Sequence, residues 1–150
     1  MANVSKQTRP SRVAWLGATV SYEGFPLALR VRPRADSPAR RKSFPYLAIV
    51  THHLAEVRRD GLPEPAYNLG LADLDHCIIQ TLGRRGQGLT VLVETFGGER
   101  TYYAYTRSRA VASAALEAIR VVHPEHKLSL RGRVDSQWGF LQRYRKDFPW

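Results

Sequence analysis

Cysteine occurs once in the 150 residues, at Cys77. A single cysteine excludes an internal disulfide and suits a reducing cytoplasm. Long apolar runs are also missing. None approaches the ~20 residues that span a bilayer, so no membrane partner is expected. The opening MANVSKQTRPSR has no apolar centre of the kind a signal peptide carries, and residues 1–12 read as a flexible basic tail. Acidic residues are scarce: 13 Asp and Glu stand against 23 Lys and Arg, a net charge of +10. That imbalance favours anionic partners such as nucleic acid or an acidic protein, although net charge informs association and not fold. No phosphate cradle is present either. GRRGQG at 83–88 lacks the Gly-Lys-Ser/Thr ending of a P-loop.

What remains is a globular composition, 43% hydrophobic, long enough for one core-bearing domain over residues 13–150. Its clearest local signal is LTVLVETFGGERTYYAYT, Leu89 to Thr106. Two β-branched and aromatic runs flank Gly97-Gly98. A two-residue primed turn needs positive φ, which glycine supplies without steric cost, so the segment predicts a β-hairpin. With a two-residue turn, Phe96 opposes Glu99, Glu94 opposes Thr101 and Leu92 opposes Tyr103. Alternation then puts Leu89, Val91, Val93, Tyr102 and Ala104 on one face. Leu92, Glu94, Phe96, Tyr103 and Tyr105 take the other.

Other elements fall around this hairpin. Residues 13–32 predict an earlier hairpin, with Leu27, Leu29 and Val31 on a common face and Pro33 ending it. Arg34 to Ser43 lacks periodicity and contains Pro38, so it reads as a basic loop. Leu47 to Val50 is continuously apolar, as suits a strand covered on both faces. Asp60-Gly61-Leu62-Pro63 marks a turn. A helix is predicted over 67–82 with Leu71, Leu74, Ile78 and Leu82 inward, Asp73 and Asp75 in solvent, and Gly83 as its stop. A second helix is predicted over 109–122, capped by Ser108 and ended by Pro124. Residues 127–134 predict a last strand with Leu128 and Leu130 inward. A short helix follows, capped by Asp135 or Ser136, with Phe140, Tyr144 and Phe148 on one side. From Phe44 onward the order is β-α-β-β-α-β. The expected fold class is therefore α+β, a ferredoxin-like antiparallel sheet with an added N-terminal hairpin and a short C-terminal helix.

The segments YEGFPLALRVRP, FPYLAIVTHHL, DGLPEPAYNLGLADLDHCIIQTL, GGERTYYAYT and DSQWGFLQRY, in this order, resemble the bacterial family catalogued as domain of unknown function 695. The resemblance spans most of residues 15–148. It rests on Tyr22, Gly24, Pro26, Asp60, Gly61, Leu62, Pro63, Gly98, Tyr105, Asp135 and Trp138. The family has no established activity, so the resemblance implies no catalytic or binding residue.

No constellation of reactive residues converges in the sequence, and no enzyme activity, cofactor or metal is expected. His76 and Cys77 are helix neighbours that point about 100° apart, too divergent for a nucleophile and its base. His52 and His53 end a strand and face opposite ways. His123 and His126 flank Pro124 with no cysteine or acidic triad beside them, and a structural role is expected. Two surfaces stand out instead. Arg30, Arg32, Arg34, Arg40, Arg41 and Lys42, with Arg131, Arg133, Arg143 and Arg145 further on, are candidate contacts for an anionic partner. Phe96, Tyr103 and Tyr105 form a candidate aromatic face, the layout that RNA-recognition modules use to stack bases, unless the C-terminal helix covers it. The expected function is a small cytoplasmic, non-catalytic interaction or regulatory domain with an unidentified protein partner. The alternative is a basic module binding RNA or single-stranded DNA.

Overall fold

In the computed structural model, residues 15–150 are described; the basic tail expected at 1–12, and Val13 and Ala14 of the first hairpin, lie outside them. The elements run β1 (Leu16–Tyr22), β2 (Phe25–Val31), α1 (Pro38–Ser43), β3 (Tyr46–His53), α2 (Pro65–Gly70), α3 (Ala72–Leu82), β4 (Gly88–Phe96), β5 (Glu99–Thr106), α4 (Arg109–Val122), β6 (Lys127–Val134) and α5 (Gly139–Asp147). The six strands form one sheet in the order β1-β2-β4-β5-β3-β6, antiparallel at every pairing. This is an α+β architecture. No helix among the described residues is long and apolar enough to cross a membrane.

The central hairpin has the expected turn and the expected register, with Phe96 opposite Glu99 and Leu92 opposite Tyr103. Gly97 and Gly98 both have positive φ, 59° and 84°. The face assignment changes halfway along β4. The register shifts between Thr90 and Leu92, so Val91 sits in a bulge. One extra residue reverses the alternation beyond it. Leu89 and Val91 therefore pack in the core with Leu92, Tyr103 and Tyr105, not with Val93 and Tyr102 as strict alternation predicts.

Two further expectations are corrected. Pro38 does not prevent a helix; it starts one. The first helical position has no N–H to lose, and Ser37 Oγ caps the turn by accepting from the Arg40 N–H at 3.2 Å. The helix expected over 67–82 is two helices, broken at Gly70-Leu71. Glycine is a poor helix former, and the Leu71 N–H there bonds Asn68 O, a 3₁₀-type contact.

The sheet is covered on both sides. Against one face, α3 and α4 bury Leu74, Ile78, Leu82, Leu116 and Ile119 on Val50, Val93 and Tyr102. Against the other, α5 and the segment leading into it bury Trp138 and Leu141 on Leu47, Ile49, Tyr103 and Tyr105. The strands β3 and β5 consequently carry almost no exposed side chains, as the apolar run Leu47 to Val50 in β3 and the aromatic run Tyr102 to Tyr105 in β5 require.

Candidate functional site

The aromatic face of the hairpin is closed by the chain itself. Tyr105 stacks on the Trp138 indole, with ring centroids 4.1 Å apart, and Tyr103 stacks on Phe140 at 4.6 Å. Phe96 meets Tyr22 edge-on at 5.4 Å. Two carboxylates fix the covering helix. Glu94 accepts from the Tyr103 and Tyr144 hydroxyls, each at 2.7 Å. Asp135 accepts from the Tyr105 hydroxyl at 2.8 Å and from the Gly139 and Phe140 N–H groups at 3.0 Å. Burial alone would raise the Asp135 carboxyl. The Phe140 N–H, the Tyr105 hydroxyl and the Gly139 N–H outweigh it and hold the group below the usual carboxylate range. The Asp135 carboxylate thus holds the first two N–H groups of α5, although the N-cap position itself is Trp138 and not Asp135 or Ser136 as the sequence predicts. Tyr103 and Tyr105 are core residues here, Phe96 packs half-buried at their edge, and the described residues leave no open stacking platform on this side.

The candidate cations divide. Arg30 is held by Asp75, with one guanidinium nitrogen 2.9 Å from a carboxylate oxygen. The Tyr102 hydroxyl donates to the same carboxylate at 2.7 Å. Asp75 therefore faces the sheet, whereas helical spacing placed it in solvent. The sequence pattern hides this because its partner lies 45 residues earlier. Burial works against the ionised form of Asp75. The hydrogen bond and charge of Arg30, helped by Tyr102, nevertheless leave its carboxyl below the ordinary range. Nearby, Arg100 bonds the Thr95 hydroxyl at 2.9 Å and the Asn68 side-chain oxygen at 2.7 Å. Together these groups line a cleft of about 330 Å³ between α2, α3 and the sheet. Asp75→Leu would strand the Tyr102 hydroxyl, which is 1% exposed. A loss of about 1–3 kcal/mol is expected in urea denaturation, the usual cost of a buried group left unpaired.

Arg32 donates to Thr90 O at 2.8 Å and lies over the Trp15 ring at 4.7 Å. Arg40 bonds the carbonyls of Arg34 and Ala35, and Arg41 makes a two-point ion pair with Asp36 at 2.6 and 2.7 Å. These three candidates, with Arg30, serve the protein's own structure. Arg34 and Lys42 are exposed, and so are Arg131 and Arg133.

Arg131 and Arg133 belong to β6, which is an edge strand. Among the described residues its outer side pairs with no strand, and six of its eight residues are exposed. Register places Arg131 opposite Ile49 and Arg133 opposite Leu47, so both arginines project on the α5 side. On the other side β6 and α4 enclose a groove of about 520 Å³, lined by Tyr46, Leu116 and Leu130 and rimmed by Arg109, Glu117 and Arg120. Arg120 is anchored to Glu117 at 2.7 Å and to Leu128 O at 2.9 Å. The sequence reading named the arginines of β6 but missed Arg109 and Arg120. Both sit on a helix whose relation to the strand edge only the fold reveals.

A family model described as "Family of unknown function (DUF695)" matches residues 14–144. The chain belongs to this family. No curated protein and no solved structure matches it. In this DUF695 chain several of the positions that carry the likeness meet in two places, and both are structural. Tyr105, Asp135 and Trp138 form the stacked, hydrogen-bonded lock under α5. Gly61 and Gly98 form the other: Gly98 N–H donates to Gly61 O at 2.9 Å, and a side chain at Gly61 would come within 2.9 Å of the Gly97 backbone. Asp60 holds that loop by accepting from the Leu62 N–H at 3.0 Å. Neither place gathers a nucleophile with a base.

Proposed function

We propose that this DUF695 chain is a non-catalytic interaction domain of a bacterial cytoplasmic protein, and that it takes up an acidic, extended segment of a protein partner along β6. The observation that carries this reading is the open edge of β6, with Arg131 and Arg133 on one side and the arginine-rimmed α4 groove on the other. An unpaired strand edge offers a row of backbone donors and acceptors, and an extended peptide adds to it as a further strand. Arginines along an edge keep two copies of the same chain from pairing through it. A strand of opposite charge meets no such barrier and is steered toward it. The single cysteine supports the cytoplasmic placement. The strand order β6-β3-β5-β4, with α3 and α4 on one face, supports a ferredoxin-like reading of that unit, to which β1 and β2 add an N-terminal extension.

A labelled, glutamate-rich peptide of alternating apolar and acidic residues tests the reading by fluorescence anisotropy. Saturable binding that weakens with salt is expected. The double substitution Arg131→Glu and Arg133→Glu should lower affinity by about tenfold, since each exposed pair is worth at most about 1 kcal/mol and reversal adds repulsion of similar size. Absence of binding at low salt, or an unchanged affinity in the double variant, would overturn it. The second reading, nucleic-acid binding, draws on the exposed Arg34 and Lys42 beside α1. Preferential, salt-dependent binding of single-stranded RNA in the same assay would favour it instead.

A further inference from the structure

Helix α4 ends at His123, and His123-Pro124-Glu125-His126 turns the chain into β6. Pro124 cannot continue the helix, and the His126 N–H reaches back to His123 O at 3.4 Å. This tight reversal gathers three donor groups. Glu125 Oε1 lies 3.8 Å from His123 Nδ1 and 3.2 Å from His126 Nε2. All three ligand atoms fall within 4.8 Å of one another. Donors on a tetrahedral ion bound at about 2.0–2.1 Å stand about 3.3 Å apart, so small side-chain rotations bring the three onto one centre.

A second observation comes from the strand beneath the turn. His52 is 1% exposed, and neither of its ring nitrogens has a hydrogen-bond partner among the described residues. Its ring meets that of His126 at a right angle, with centroids 5.1 Å apart. Buried polar groups are almost always paired, and an orphan calls for a specific cause.

The geometry points to a divalent transition-metal site of the zinc class at this turn, with His123, Glu125 and His126 as ligands and the His52 ring packed beneath His126 as its support. Two or more imidazoles with one carboxylate suit zinc, nickel or copper and disfavour calcium and magnesium, which take oxygen ligands. The site also stands at the C-terminal end of α4, where the helix dipole favours a cation. The net charge of +10 opposes any cation, but at physiological salt screening limits that effect to charges within about 8 Å. Sequence reasoning passed over the site because it sought a cysteine or an acidic triad beside the two histidines. The single Glu125 between them completes the set, and His52 packs beneath it from another strand.

Calorimetric titration of tag-free, chelator-treated protein with Zn²⁺ is the test. One ion per chain is expected, with affinity lowered at least about tenfold by His123→Ala or His126→Ala. These side chains are half-buried at a turn, so the variants should fold, which circular dichroism checks. His76→Ala, on the exposed surface of α3, should bind like the unchanged chain. His52→Leu should weaken binding by about tenfold while leaving the fold intact. Absence of stoichiometric binding would overturn the site, as would equal losses from His76→Ala and His126→Ala. An unchanged affinity in His52→Leu would overturn the role of His52 as the support of His126.

Discussion

Trp138→Ala is expected to cost about 3–5 kcal/mol, the range for truncating a large buried aromatic. Three contributions act at this one position. The indole is fully buried, at 0% exposure. It stacks nearly parallel on Tyr105, with 8° between the planes. Its Nε1–H donates to Phe44 O at 2.9 Å, and that carbonyl would lose its partner. Trp138 also has φ of 55°, a left-handed conformation that an alanine adopts no more readily, so no backbone relief offsets the loss. Because Trp138 immediately precedes α5, the damage should spread along the helix. Urea denaturation would measure the stability loss, and limited proteolysis should cut first between residues 135 and 148. Trp150, half-buried at the rim, is the comparison: its truncation should cost about 1 kcal/mol, the order of burying only part of an aromatic side chain. A Trp138→Ala loss below that of Trp150→Ala would contradict the account of α5 as the cover of the sheet.

The next largest effect is expected from the smallest change. A Cβ at Gly132 would stand 2.4 Å from Leu47 O and within 2.8 Å of the Tyr46 hydroxyl and one of its ring carbons. The carbonyl belongs to the neighbouring strand and cannot rotate away. Gly132→Ala should therefore lower stability by about 2–3 kcal/mol, as overpacking does, and separate β6 from β3 locally. Gly17, on the edge strand at the opposite side of the sheet, gives the contrast. Its nearest neighbour would be Leu29 O at 3.9 Å, ordinary contact. Gly17→Ala should be neutral or stabilising by a few tenths of a kcal/mol, since glycine is entropically costly within a strand. Thermal melts of the two variants, with amide exchange read at Leu47 and Ile49, would decide between a steric and a merely conformational effect. If the two substitutions behave alike, the steric argument fails.

How much of this was legible depended on the distance over which each signal acts. The Gly97-Gly98 hairpin, the Ser108-capped helix and the strand over 127–134 are local patterns, and the structure has them at the predicted bounds. The bulge at Val91 is one residue in an otherwise regular alternation, and nothing in LTVLVETF marks it. Asp75 read as a solvent-facing carboxylate because Arg30 and Tyr102, its partners, lie on other elements. The same holds for the arginines. Sequence spacing shows which are present, while only the fold shows that Arg30, Arg32, Arg40 and Arg41 are spent on internal partners. The sequence posed the question of what covers Tyr103 and Tyr105, and the answer needed the position of α5.

The placement of α5 also matters during synthesis. All six strands precede it in the chain, so the sheet can assemble before its cover is made. At ribosomal rates of about 5–20 residues per second, residues 135–148 follow the last strand by about a second. For that interval Leu47, Ile49, Tyr103 and Tyr105 form a wide apolar surface facing water. A nascent chain paused there, or a message cut short near Asp135, would present a folded sheet with one bare side. Such a species invites chaperones and self-association, a hazard set by the order in which the elements are encoded.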